Sequence, residues 1–231
     1  MPYFFIDYWY IILVLPAVIF SIAAQFKVNS TYAKASKILS RSGLTGKDIA
    51  EKILRQNGIN DVKVVQINGK LTDNYNPKTK TISLSQDVYS SSSVAALGIA
   101  AHEAGHTCQH YHNYSPISLR NAILPVAGIG SSLAIPLVII GFIFNWEPLI
   151  LTGIIFFAAV VLFQLITLPV EFNASNRALQ VLENGILQPD ELAQTKKVLS
   201  AAAMTYVAAL AVSLAQLLRL LILLVSRGDR R

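Results

Sequence analysis

Residues 121–168 read NAILPVAGIGSSLAIPLVIIGFIFNWEPLILTGIIFFAAVVLFQLITL, and Glu147 is their single charged residue. The stretch divides at NWEP (145–148), a turn signal that holds an interfacial tryptophan, Trp146. As helices, residues 121–144 and 149–168 are each long enough to cross a bilayer core, which takes about 20 residues. A helix satisfies its own backbone polar groups, as hydrocarbon requires. The stretch therefore predicts a transmembrane hairpin, and two crossings return the chain to the side it left.

Outward from the hairpin, residues 8–26 (YWYIILVLPAVIFSIAAQF) are uncharged and of spanning length. The opening MPYFFID has no basic residue, so an uncleaved anchor is expected rather than a cleavable signal peptide. Residues 201–225 are apolar apart from Arg219 and predict a fourth crossing. Between these runs the chain looks water-soluble. TGKDIAEKILRQNGI predicts an amphipathic helix ending near Gly58. DVKVVQI and KTISLS alternate like strands, with NGK and NPKT as turns. The serines at 90–93 can cap a helix that runs through VAALGIAAHEAGHTCQHYH. Residues 169–200 are polar and helical in pattern, interrupted at NGILQPDE. The organisation read from this is an anchor at 1–26, an α+β module at 27–120, the hairpin at 121–168, a helical segment at 169–200 and a last crossing at 201–225.

Composition agrees. Apolar residues make up 53% of the 231-residue chain and charged ones 14%, where a soluble domain carries about a quarter. The single cysteine, Cys108, excludes an intramolecular disulfide framework and a Cys-rich metal site. Of the nineteen basic residues, twelve lie between Lys27 and Arg120, against six acidic ones. No nucleic-acid motif accompanies them, and they lie between membrane segments. They read as a cytoplasmic loop that obeys the positive-inside bias, not as a nucleic-acid surface. A fourth crossing puts Arg227, Arg230 and Arg231 outside, against that bias, but the apolar length of 201–225 favours it.

The chemistry lies in AHEAGHTCQH, where His102, Glu103 and His106 form the H-E-x-x-H pattern. A helix advances about 100° per residue, so positions i and i+4 stack on one face. His102 and His106 can then point at one Zn²⁺, while Glu103, offset by one residue, can take a proton from water and pass it to a leaving amine. The small Ala104 and Gly105 leave room around such a site. All four histidines fall within residues 102–112. A preceding strand could offer its edge to an extended peptide.

A third protein ligand is required, and two residues compete. Glu171, in LPVEFNASNRAL, is returned by the hairpin to the compartment of the histidines and emerges close to the membrane face. His112 lies ten residues after His102, as in H-E-x-x-H-x-x-G-x-x-H. Gln109, however, stands where that pattern needs a glycine for a sharp turn. This favours Glu171. His110 reads as a surface or supporting group, and Cys108 as helix packing. Arg177, Tyr75, Tyr111 and Tyr114 are candidates for oxyanion stabilisation, with Arg177 more simply read as pairing with an acidic neighbour. Gly128, Gly130, Ser131 and Ser132 read as a close-packing patch between membrane helices.

AAHEAGHTCQH, the following YSPISLR, the hairpin and LPVEFNASNRAL together resemble the YugP-like family of bacterial membrane zinc metallopeptidases, in order and length, over nearly the whole chain. The arrangement is also similar to HtpX and the CAAX-prenyl endopeptidases, which place a glutamate ligand in an E-x-x-x-D segment after membrane helices. That resemblance puts the glutamate at Glu171 and replaces the aspartate with Ser175, one turn on, where a hydroxyl can still bond a ligand histidine. The expected molecule is a mainly α membrane protein, with about four transmembrane helices and a small α+β zincin-like module. It would bind Zn²⁺ through His102, His106 and Glu171, with Glu103 as base. It would hydrolyse peptide bonds of membrane or membrane-proximal proteins at the cytoplasmic face of a bacterial cell membrane. The alternative is a non-catalytic, zinc-stabilised membrane protein. Retention of Glu103 speaks against it, because a structural site needs no base. A small transporter fits less well, since the spanning segments hold few ionisable groups.

Overall fold

The computed structural model describes residues 7–228; residues 1–6 of MPYFFID, and Arg230 and Arg231, lie outside the described residues. A π-helical turn (Tyr10–Val14) leads into α1 (Leu15–Ala35), followed by α2 (Gly46–Gln56), β1 (Lys63–Ile67), β2 (Asn74–Asn76) and β3 (Thr81–Ser85). A one-turn helix α3 (Gln86–Tyr89) precedes α4 (Val94–Tyr111), α5 (Ser115–Ile143), α6 (Glu147–Glu183) and α7 (Pro189–Gly228). Contacts divide the chain into two compact units. One comprises Phe26–Ser118 and Pro169–Met204; the other comprises the described residues up to Gln25, Leu119–Leu168, and those from Thr205 onward.

In the unit containing Phe26–Ser118, α2 opens on a capping box. Thr45 accepts from the Asp48 N–H at 3.2 Å, and Asp48 accepts from the Thr45 N–H at 2.9 Å. Its apolar stripe, Ile49, Ile53 and Leu54, packs into a core with Ile82 and Leu84 of β3, Leu97 and Ala101 of α4, and Leu182 of α6. The sheet order is β1-β3-β2, with β1 parallel and β2 antiparallel to β3. The two expected strands are thus β1 and β3, and the short β2 (NYN) is an addition. Asparagine is depleted in strands and common in turns, so the two that flank Tyr75 mask any strand signal.

The other unit is apolar over most of its interior and surface. Val138, Ile150, Ile154 and Leu220 form its core, while Ile11, Ile129, Ile155 and Val225 are exposed. Within the α5/α6 hairpin, a Cβ on Gly130 would meet the Phe156 carbonyl oxygen at 2.6 Å, and one on Gly153 would meet that of Ala134 at 2.7 Å. Gly128 faces open space, so the close-packing patch reduces to Gly130; Ser131 and Ser132 donate back to the Gly128 carbonyl. Among the described residues, four helices are long and apolar enough to cross a membrane. The protein is therefore a mainly α membrane protein with a small α+β module. Three helices run past the composition changes at residues 26, 168 and 200. α1 continues to Ala35, α6 passes through Pro169, and α7 is unbroken from Pro189.

Candidate metal centre

The helix carrying the H-E-x-x-H pattern, α4, starts at Ser93, whose hydroxyl accepts from the Ala96 N–H at 3.2 Å. Gly98, Ala101, Gly105 and Cys108 follow at helical spacing and form a small-residue face. A Cβ on Gly98 would meet Thr195 of α7 at 2.6 Å, and one on Gly105 would meet the Ala174 carbonyl oxygen of α6 at 2.9 Å. The room at Gly105, read from sequence as space for a metal, is filled by the α6 backbone. Ala104 is fully buried in the core. This close approach of α4 and α6 brings Glu171 to the two histidines.

Glu171 Oε2 lies 3.3 Å from His102 Nε2 and 3.6 Å from His106 Nε2. The two rings are nearly perpendicular, with centroids 4.6 Å apart. One ligand atom from each of the three residues lies within 4.8 Å of the others. The carboxylate is 3% exposed, and Oε2 makes no hydrogen bond. Both nitrogens stand too far from it for a good hydrogen bond, which is about 2.7–3.2 Å. A buried anionic oxygen without a donor is costly, and a cation between the three atoms would relieve it. The spacing suits zinc. Two donors about 2.0–2.1 Å from a tetrahedral ion stand about 3.3–3.5 Å apart. The residues present therefore fit the metal.

The outward nitrogens of both rings are occupied. Ser175 Oγ lies 3.1 Å from His102 Nδ1, the contact expected when serine replaces aspartate. Gln109 Oε1 lies 3.0 Å from His106 Nδ1. Burial opposes the charged form of His106, but the Glu171 and Glu103 carboxylates outweigh it and hold its pKa above the ordinary value. Burial also pushes the Glu103 carboxyl above the usual range, with His102 and His106 opposing. Glu103 itself is 8% exposed on α4, beside the group.

The remaining candidates separate cleanly. His112 caps the end of α4, exposed, 3.4 Å from Asn57 Oδ1, and is outside the group. The His110 ring packs edge-on against Tyr75 of β2, with centroids 5.5 Å apart. Cys108 is buried in the core. Arg177 Nε donates to Asn173 Oδ1 at 2.8 Å, a neutral partner in place of the acidic one expected. Sequence reasoning missed Gln109 and Asn173 as supports. The i+3 spacing of Gln109 from His106 allowed such a contact without marking it, and Asn173 carried no signal.

Two histidines on one face of α4 and a buried glutamate of α6 facing them, in a chain with four helices apolar enough to cross a membrane, are the features of the membrane zinc metallopeptidase class. The chain belongs to the family described as "Putative neutral zinc metallopeptidase", whose model matches residues 10–225. It is 45% identical over 221 residues to "Putative membrane protease YugP" of Bacillus subtilis (strain 168), covering 95% of this chain and 98% of that protein. No solved structure matches the chain.

Proposed function

We propose that this protein is a membrane-embedded, zinc-dependent endopeptidase acting on membrane or membrane-proximal proteins at the cytoplasmic face. The observation that carries the proposal is the orphaned Glu171 oxygen facing His102 Nε2 and His106 Nε2. In this reading His102, His106 and Glu171 hold the metal, and one position stays open, as in catalytic rather than structural zinc sites. Zinc, when bound, acidifies water and polarises a carbonyl. Glu103 takes the proton of the attacking water and returns it to the leaving amine. Burial shifts its carboxyl upward, the direction that helps a base hand its proton on. The substrate is a peptide in extended form. β2 is an edge strand that pairs with β3, and in this reading the peptide adds as a further strand along its other edge.

The test is Glu103→Gln. The amide keeps the shape and cannot accept the proton. The variant should retain zinc and lose hydrolysis of a membrane-protein substrate by about 100-fold or more. Equal rates for variant and wild type would remove Glu103 from this role. Inactivity of both, across soluble and membrane substrates, would favour the zinc-stabilised, non-catalytic protein.

A further inference from the structure

Gln109 is fully buried where α4 meets α6, and each of its polar atoms has a partner of fixed character. Its Nε2 donates to the Val170 carbonyl at 2.8 Å and to Asn173 Oδ1 at 3.0 Å. A backbone carbonyl can only accept. Asn173 Oδ1 is identified as oxygen because it also accepts from Arg177 Nε at 2.8 Å, and a guanidinium can only donate. Both amide hydrogens of Gln109 are therefore committed. The atom it turns to His106 must be the oxygen, Oε1, 3.0 Å from Nδ1.

An amide oxygen can only accept, so His106 Nδ1 must carry the proton. In the neutral ring that leaves Nε2 as a bare lone pair. Nε2 is the atom 3.6 Å from Glu171 Oε2. We infer that Gln109, oriented by Val170 and by Arg177 through Asn173, is the positioning residue that sets the His106 tautomer for metal binding. His102 has no such device. Its Nδ1 meets the Ser175 hydroxyl, which can donate or accept. The two ligand histidines are thus held differently, His106 by a one-way relay and His102 by a permissive contact. The residue that departs from a glycine turn at position 109 has its own task in the site.

The inference rests on His106 being a metal ligand, and the experiment separates the two. Gln109→Met and Gln109→Glu both lose the bonds to Val170 and Asn173, so both should lower the melting temperature of the metal-free protein. Only Met also loses the acceptor for Nδ1–H. Zinc affinity, read by chelator competition, should fall about 10–100-fold for Gln109→Met and stay within about threefold for Gln109→Glu, as for other supports of ligand histidines. Equal losses in both variants would reduce Gln109 to a tie between helices and overturn the assignment. Imidazole ¹⁵N NMR of the metal-free wild type gives a reading independent of variant folding. Read at a pH where the ring is neutral, His106 should be the Nδ1–H tautomer, and an Nε2–H tautomer there would overturn the inference. Unchanged zinc affinity in His106→Ala would instead defeat the ligand reading, whatever the tautomer.

Discussion

Glu171 and His112 competed as third ligand, and their surroundings differ in kind. Glu171 is buried with an unpartnered oxygen aimed at two imidazoles, while His112 is exposed at a helix end. Glu171→Ala should weaken zinc binding by more than about 100-fold, the upper end for loss of a mere supporting contact. His112→Ala should bind within about threefold of wild type on the same scale. Zinc titration against a chelator checks both, and a reversed order would hand the ligand role to His112. The electrostatics add a pH dependence. Metal ligands must be deprotonated, and nearby carboxylates make the His106 imidazole hold its proton more tightly than a free ring does. A proton thus competes with the metal from a higher pH, so affinity should already be falling above about pH 6.5 as the solution is acidified. Affinity unchanged between pH 8 and 5.5 would exclude a histidine ligand.

Between elements, the decisive contact is the approach of α4 to α6 at Gly105. A Cβ there would sit 2.9 Å from the Ala174 carbonyl oxygen and 3.4 Å from its Cα, and backbone cannot step aside as a side chain can. Gly105→Ala should cost about 1–3 kcal/mol by overpacking, against a helix-propensity gain of about 1 kcal/mol. The net is a lower melting temperature and weaker zinc binding, because α6 carries Glu171. Gly128→Ala, with open space around it, should be neutral or mildly stabilising. Equal melting temperatures for the two variants would remove the packing argument. This contact also shows what sequence reading can reach. The histidine spacing and the hairpin follow from helical geometry and bilayer thickness, so His102, His106 and Glu171 could be named in advance. Which way Gly105 faces depends on where a second helix crosses, and periodicity within one helix does not encode that. β2 escaped for the same reason, since its pairing with β3 is a tertiary outcome of three polar residues. The supports Gln109 and Asn173 were hidden because an amide has no role until its partners are known.

Across the whole molecule, the open question in the sequence was whether 201–225 crosses the membrane. In the apolar unit, Arg219 of α7 donates to Asp7 Oδ2 through Nε at 3.0 Å and through a terminal nitrogen at 2.7 Å. Its guanidinium also lies over the Tyr10 ring, 5.5 Å from the centroid. Arg219 is 4% exposed, and a charge so placed persists only when paired. Asp7 precedes the first spanning helix and Arg219 lies in the last turns of the fourth, so the pair needs both ends on one side. An even number of crossings provides that, which argues for four crossings despite Arg227 at the outer end. The excess of basic residues in 27–120 then predicts the orientation. Residues 27–120 and 169–200 should face the cytoplasm, with the N-terminus, the 145–148 turn and the C-terminus outside. Single cysteines at Asn68, Asn145 and Asp229, in a Cys108→Ala background, report this by impermeant-reagent labelling of intact cells. Positions 145 and 229 should label from outside and position 68 only after lysis. Labelling of 145 without 229 would leave α7 on the inner face and require the Asp7–Arg219 pair to be broken in the membrane. Labelling of position 68 from outside would invert the whole arrangement and place the metal centre on the opposite face.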